Sequence, residues 1–188
     1  GAGTVLNVLR PRKESKFMVI GIGAVGLAAL LAAKAEGVET LIAVDIVDEK
    51  LELAKSLGAT HTINTKTVTD LESGVRALFP DGVDNVLDTT GVRALQQSSI
   101  DALAHEGVLA IVGVSKSGNT IEIDPLKFMM NCNRVIGVIE GYSNPSQVIP
   151  RLVQLYLDGK FPVNRLAKVY PATDIEKALH DLHAGKVC

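Results

Sequence analysis

A chain of 188 residues, 47% hydrophobic and with a formal net charge of −2, can bury one sizeable core and lacks the Lys and Arg surplus of a nucleic-acid binder. Its longest apolar stretch, 24–33, is about ten residues and follows a glycine-rich turn, which is too short for a membrane span and suits a helix buried against a sheet. The cysteines Cys132 and Cys188 have no C-x-x-C spacing and no secretory signal is visible, so the expected setting is the reducing cytoplasm, with Cys132 a small core or helix-end residue.

In chain order, apolar runs predict strands near 17–20, 40–45, 61–63, 83–88, 107–112 and 133–139, with a short later one near 166–170. Helical patterns fill the gaps. The helix after Asp48 has that Asp as its expected N-cap, Leu51, Ala54 and Leu57 on one face and a stop at Gly58. Asp124-Pro125 reads as an N-cap followed by a proline in the first turn. Pro150 is expected to split 145–158 into a turn and a helix, and Thr173-Asp174-Ile175-Glu176 to form a capping box. Strand and helix alternating in this way predict an α/β fold, a doubly wound and mostly parallel sheet with helices on both faces, as one domain over 1–188.

The residues that declare a chemistry come first along the chain. Lys16-Phe17-Met18-Val19-Ile20 runs into Gly-x-Gly-x-x-Gly at Gly21, Gly23 and Gly26, with Ala24 and Val25 between the last two. A strand that ends in such a turn and opens a helix presents backbone N–H groups and a dipole to a pyrophosphate. Gly21 permits the turn, Gly23 lets the diphosphate approach the backbone, and Gly26 lets the helix sit close to the strand. Asp45 ends the next strand, nineteen residues after Gly26, where its carboxylate can accept from ribose hydroxyls. The following Ile46-Val47-Asp48 offers no Arg for a 2′-phosphate, which favours NAD over NADP, and Lys50 is placed to reach a ribose hydroxyl or a phosphate.

Ligands in such sheets bind beyond the carboxyl ends of the strands. That rule points to Thr89 in Asp88-Thr89-Thr90-Gly91, to Val112-Gly113-Val114 and to Ile139-Glu140-Gly141, where glycines let a ring or ribose lie against backbone able to bond a carboxamide. Other constellations are thinner. His180 and His183 share a helical face but have no further ligand nearby in sequence, and His61 and His105 are isolated. Ser143, Tyr156 and Lys160 match the Ser…Tyr-x-x-x-Lys spacing of short-chain dehydrogenases, although the glycine pattern differs and Gly159 breaks the helix that Lys160 needs. An S-adenosylmethionine methyltransferase and a non-catalytic NAD-sensing module complete the alternatives.

The segments GAGTVLNVLRP, VIGIGAVGLAALLAAKAEG, VDIVDEKLELAKSLGATHTIN, AIVGV and LYLDGKFP together resemble the cofactor-binding half of zinc-type alcohol dehydrogenases of the medium-chain dehydrogenase/reductase superfamily, nearest the aryl-alcohol branch. The resemblance covers nearly the whole chain and implies a Rossmann domain. It implies that Gly21, Gly23 and Gly26 cradle the pyrophosphate, that Asp45 and Lys50 hold the adenosine ribose, and that 112–114 and 139–141 face the nicotinamide. By the same resemblance the catalytic zinc belongs to a separate domain of the polypeptide, absent from this sequence. The chain itself is then expected to bind no zinc and to carry no catalytic residue. Family enzymes commonly assemble as homodimers or homotetramers through the sixth strand, for which the apolar 135–139 run is suited.

Overall fold

The computed structural model describes residues 1–184. The apolar runs become β1 (Lys16–Ile20), β2 (Thr40–Asp45), β3 (His61–Asn64), β4 (Val83–Asp88), β5 (Leu103–Ile111) and β6 (Arg134–Gly137). They form one sheet in the order β3-β2-β1-β4-β5-β6, every pairing parallel. The chain therefore reverses its winding direction between β1 and β4, and a crevice opens at the carboxyl ends of those two strands.

Parallel strands covered on both faces should read as continuous apolar runs rather than alternating ones. Phe17, Met18, Val19 and Ile20 are all at most 1% exposed, as are Leu41, Ile42, Ala43 and Val44. Successive residues feed opposite cores. Phe17, Val19, Leu41 and Ala43 pack with α1 (Ala24–Ala35) and α2 (Asp48–Leu57), whereas Met18, Ile20, Ile42 and Val44 pack with α3 (Leu71–Leu78) and α4 (Arg93–Asp101). Burying one such side chain contributes about 1.5–3 kcal/mol, so β1 and β2 anchor both layers and fix the turns that leave them.

α1 is apolar almost all round, with Leu27, Ala29, Leu30, Leu31, Ala32 and Ala33 buried, because it lies under neighbours on several sides. α2 buries Leu51, Ala54 and Leu57 and stops at Gly58, whose φ is 124°. The remaining helices are α5 (Pro125–Met130), α6 (Pro145–Leu157) and α7 (Ile175–His183). No helix among the described residues is long and apolar enough to cross a membrane.

Several expectations are corrected. Val47, not Asp48, caps α2; Asp48 sits in the first turn, where its charge suits the helix dipole and its Oδ1 accepts from Asn64 Nδ2 at 2.7 Å. Pro150 lies inside a continuous α6, where its missing N–H leaves only the carbonyl of Ser146, an exposed residue, without its helical partner. Residues 166–170 form no strand: Val163–Leu166 is a 3₁₀ turn, and the segment beyond it is tied to α7 by Tyr170 Oη donating to Asp181 Oδ2 at 2.8 Å. Thr173 caps nothing, its hydroxyl donating to Asp174 Oδ1 at 3.2 Å while a 3₁₀ turn, Ala172–Asp174, leads into α7. β5 begins earlier than expected, because the irregularity at His105-Glu106 interrupts a strand that already pairs at Leu103. Cys132 follows α5 but is exposed rather than in the core. Cys188 and the side chain of His183 lie outside the described residues.

Candidate dinucleotide site

The glycine turn is built by close approach. Gly21 has φ 88°, and a Cβ there would run into Thr89 Oγ1 and lie 2.8 Å from Thr90 Cγ2. A Cβ on Gly26, which is buried, would run into the carbonyl oxygen of Gly21, so the helix can start this close to β1 only without a side chain. Gly23 differs. Its φ of −95° suits any residue, and a Cβ on it would meet nothing within 4 Å. The first helical bond is Leu27 N to Gly23 O at 2.9 Å, and the N–H groups of Ala24, Val25 and Gly26 find no acceptor among the described residues. Open space over Gly23, flanked by unpaired donors at the positive end of a helix, fits an anionic group such as a diphosphate.

Asp45 is turned toward this turn. Its Oδ2 accepts from Ile22 N at 2.7 Å, and its Oδ1 from Ile46 N at 2.7 Å and Val47 N at 3.1 Å. The carboxylate thus joins the end of β2 to the glycine turn of β1, a structural duty that the sequence pattern did not reveal. A carboxylate offers about four acceptor positions, so Oδ2 retains one for a ligand hydroxyl. Lys50, half-buried on the first turn of α2, has no hydrogen-bond or ion-pair partner among the described residues.

At the end of β4, Thr89 faces inward to the protein. Its hydroxyl donates to Ile20 O at 2.8 Å and Gly21 O at 3.0 Å, locking the end of β1. The neighbouring Asp88 is fully buried. Its cost of burial is offset by Thr90 N at 2.9 Å, Thr90 Oγ1 at 2.6 Å, Gly91 N at 3.2 Å and Gln96 Nε2 at 2.8 Å. The Asp88 carbonyl in turn accepts from Val112 N and Gly113 N, both at 2.9 Å. A Cβ on Gly113 would crowd Thr89 C and Thr90 N, each at 2.6 Å, so glycine lets the ends of β4 and β5 converge. Val114, next along, is 94% exposed. The sequence offered Asp88 only as part of a strand end and did not point to Gln96, because an acid inside a strand–turn signal gives no sign of which amide will reach it.

The end of β6 is unusual. Glu140, Gly141 and Tyr142 have φ of 51°, 62° and 48°, a left-handed turn of three consecutive residues. For Glu140 and Tyr142 that conformation costs roughly 1–2 kcal/mol each. The turn is held from outside. Asn7 Nδ2 donates to Gly141 O at 2.9 Å and to Ser143 Oγ at 3.2 Å, and Tyr142 Oη donates to Gly137 O at 2.7 Å. Asn7 lies in a π-helical turn, Thr4–Leu9, whose preceding Gly3 packs so closely that a Cβ on Gly141 would be 2.6 Å from Gly3 Cα. Ile139 is 78% exposed beside it. Nothing in local sequence pointed to Asn7, since its partners lie 134 and 136 residues away.

The rival constellations do not assemble. Ser143 precedes α6 whereas Tyr156 is near its far end, a separation of roughly 16 Å along the helix axis, and Lys160 lies past Gly159, where φ is 72°. Among the described residues no group of three or more His, Cys, Asp or Glu side chains is placed to hold a metal. His61 meets Phe79 edge-on at 5.0 Å. A cavity of about 640 Å³ opens at the opposite end of the sheet, lined in part by Arg10, Arg12, Asp84, Glu106 and Arg134, and none of the expected ligand-binding residues reaches it.

Comparison with known proteins accords with this geometry. A family model described as zinc-binding dehydrogenase matches residues 24–158. A geraniol dehydrogenase of Castellaniella defragrans is 30% identical over 99% of this chain and 50% of its own length. An alcohol dehydrogenase zinc-binding domain protein from Burkholderia ambifaria superposes with a TM-score of 0.94 at 43% identity, covering 99% of this chain and 50% of that one. Benzyl alcohol dehydrogenase from Acinetobacter calcoaceticus gives a TM-score of 0.94 at 42% identity, covering 100% of this chain and 51% of that one. The chain spans about half the length of the curated relatives it matches.

Proposed function

This chain belongs to the zinc-binding dehydrogenase family, and from that premise we propose that it is the NAD(H)-binding half of a zinc-dependent alcohol dehydrogenase acting on a primary or aryl alcohol. The observation that carries the cofactor reading is the open space over Gly23 with the unpaired N–H groups of Ala24, Val25 and Gly26 around it and Asp45 alongside. The aryl preference is drawn from the similarity to benzyl alcohol dehydrogenase, whose name states its substrate.

In this reading the backbone N–H groups at the start of α1 hold the pyrophosphate, and the free position on Asp45 Oδ2 accepts from the adenosine ribose. Lys50 supplies a charge at the same end. Thr89 fixes the end of β1 so that the turn keeps its shape, while Val112, Gly113, Val114, Ile139 and Glu140 line the path of the ring end. The exposed side chains of Val114 and Ile139 are apolar surface that would exclude water from that end once covered. A bound nicotinamide dinucleotide supplies the hydride acceptor for alcohol oxidation. The zinc that activates the alcohol, and the pocket that selects it, are assigned to a separate domain of the same polypeptide. The fold over 1–188 is taken as one cofactor domain, and β6, an edge of the sheet, as the strand through which copies pair.

A titration of the chain with NADH and, in parallel, NADPH tests the reading; the sequence has no tryptophan, so nicotinamide fluorescence is read without an indole background. Saturable NADH binding with NADPH at least about tenfold weaker is expected. Equal affinity for both would overturn the NAD preference, and binding of neither would overturn the cofactor reading. For the complete polypeptide, turnover of benzyl alcohol that is lost on zinc chelation and restored by zinc is the expected result. Turnover indifferent to chelation would remove the zinc enzyme.

A further inference from the structure

The left-handed turn at the end of β6 leaves donors unused. The N–H groups of Ile139, Glu140 and Gly141 find no acceptor among the described residues, although Gly141 is buried, while the carbonyls of Ile139 and Glu140 accept from Tyr142 N at 3.1 Å and Ser143 N at 3.2 Å. Successive N–H groups in a left-handed turn converge on one side of the backbone, a concave donor set suited to a carbonyl or carboxamide oxygen. The conformation is not one that Glu140 and Tyr142 adopt unaided. It persists because the amide of half-buried Asn7 bonds Gly141 O at 2.9 Å and Ser143 Oγ at 3.2 Å, and because the Tyr142 hydroxyl bonds Gly137 O at 2.7 Å. The N-terminal π-helical turn therefore reaches across and sets the shape of a donor set on another element.

We infer that Asn7 is a positioning residue for the ring end of the cofactor: it holds the 140–142 turn in the conformation whose backbone N–H groups receive the carboxamide of a nicotinamide dinucleotide. The inference rests on the cofactor reading above and goes beyond it by naming what shapes one end of the site. Asn7 touches no ligand itself. Its effect passes through the carbonyl of Gly141, so its loss frees the turn to relax toward right-handed backbone and scatters the donors.

The test compares NADH with ADP-ribose, which keeps the adenosine and pyrophosphate but lacks the nicotinamide. In Asn7→Ala, NADH affinity should fall about tenfold while ADP-ribose affinity stays at the level of the unsubstituted chain. Unchanged ADP-ribose binding also reports that the fold is intact. Tyr142→Phe is the second variant: Tyr142 is 59% exposed, so removing its hydroxyl spares the core, and a smaller loss confined to NADH is expected. Equal loss of both ligands in Asn7→Ala would make Asn7 a general structural residue and overturn the inference. So would unchanged binding of both in the two variants, or an unsubstituted chain that binds NADH no better than ADP-ribose. An unsubstituted chain that binds neither ligand fails the cofactor reading first, and the inference with it.

Discussion

The two glycines that flank the start of α1 separate stability from binding. A methyl at Gly26 is driven into the Gly21 carbonyl, so Gly26→Ala must push the helix off the strand, an overpacking cost of about 1–3 kcal/mol that a urea melt would measure. A methyl at Gly23 meets nothing within 4 Å, so Gly23→Ala should leave the urea midpoint unchanged while dinucleotide affinity drops about tenfold or more. A Gly23→Ala chain that binds NADH as well as the parent would place the phosphates elsewhere. Asp45 cannot be dissected so simply. Truncating it strips an acceptor from Ile22, Ile46 and Val47 together, so Asp45→Ala loosens the turn as well as removing the proposed ribose acceptor, and lost binding in that variant does not isolate recognition.

Among the elements, α3 carries the clearest dependence on pH. Asp70 caps it, accepting from Ser73 N at 2.8 Å and from Ser73 Oγ at 2.9 Å, and these bonds hold its carboxyl below its ordinary value of 3.8. A carboxyl that binds its proton more weakly in the folded state than in the unfolded one stabilises the fold above the unfolded value. That contribution is lost as pH falls below about 4 and through the lower folded value. Amide protection in α3 should therefore decline in that window, and the decline should be absent in Asp70→Asn; a variant that tracks the parent would deny the cap its role. Element by element, the strands buried on both faces were legible because their apolar runs are unbroken. The beginning of β5 was not, since His105-Glu106 interrupts the pattern and Glu106 adopts φ 60° while its N–H bonds Asn131 O at 2.7 Å. Leu166, Val169 and Tyr170 look like a strand, but a strand needs a neighbour, and no local pattern states whether a ladder partner exists.

For the whole molecule, the assignment of β6 to an interface predicts a concentration-dependent dimer in sedimentation, and a chain that stays monomeric at high concentration would remove that role from the edge strand. The doubly wound order was legible from the alternation of strands and helices, because parallel crossovers of one hand leave few ways to stack them. The glycine turn and Asp45 were legible too, since they belong to one βαβ unit and their spacing is a local property. The strand ends assigned to the ring were visible only as glycines; the shape of the 140–142 turn rests on Asn7, which meets Gly141 across 134 residues. This difference in span predicts an order of assembly, with the Asp45–Ile22 contact closing before the Asn7–Gly141 contact. Contacts closed over short loops form early and those closed over long ones late, because the chain must first give up the entropy of a large loop. On the proposed cofactor reading, a refolding or newly made chain is therefore expected to grip the adenosine diphosphate before the ring, and for that interval to be a nucleotide binder with no means of telling an intact dinucleotide from its fragment.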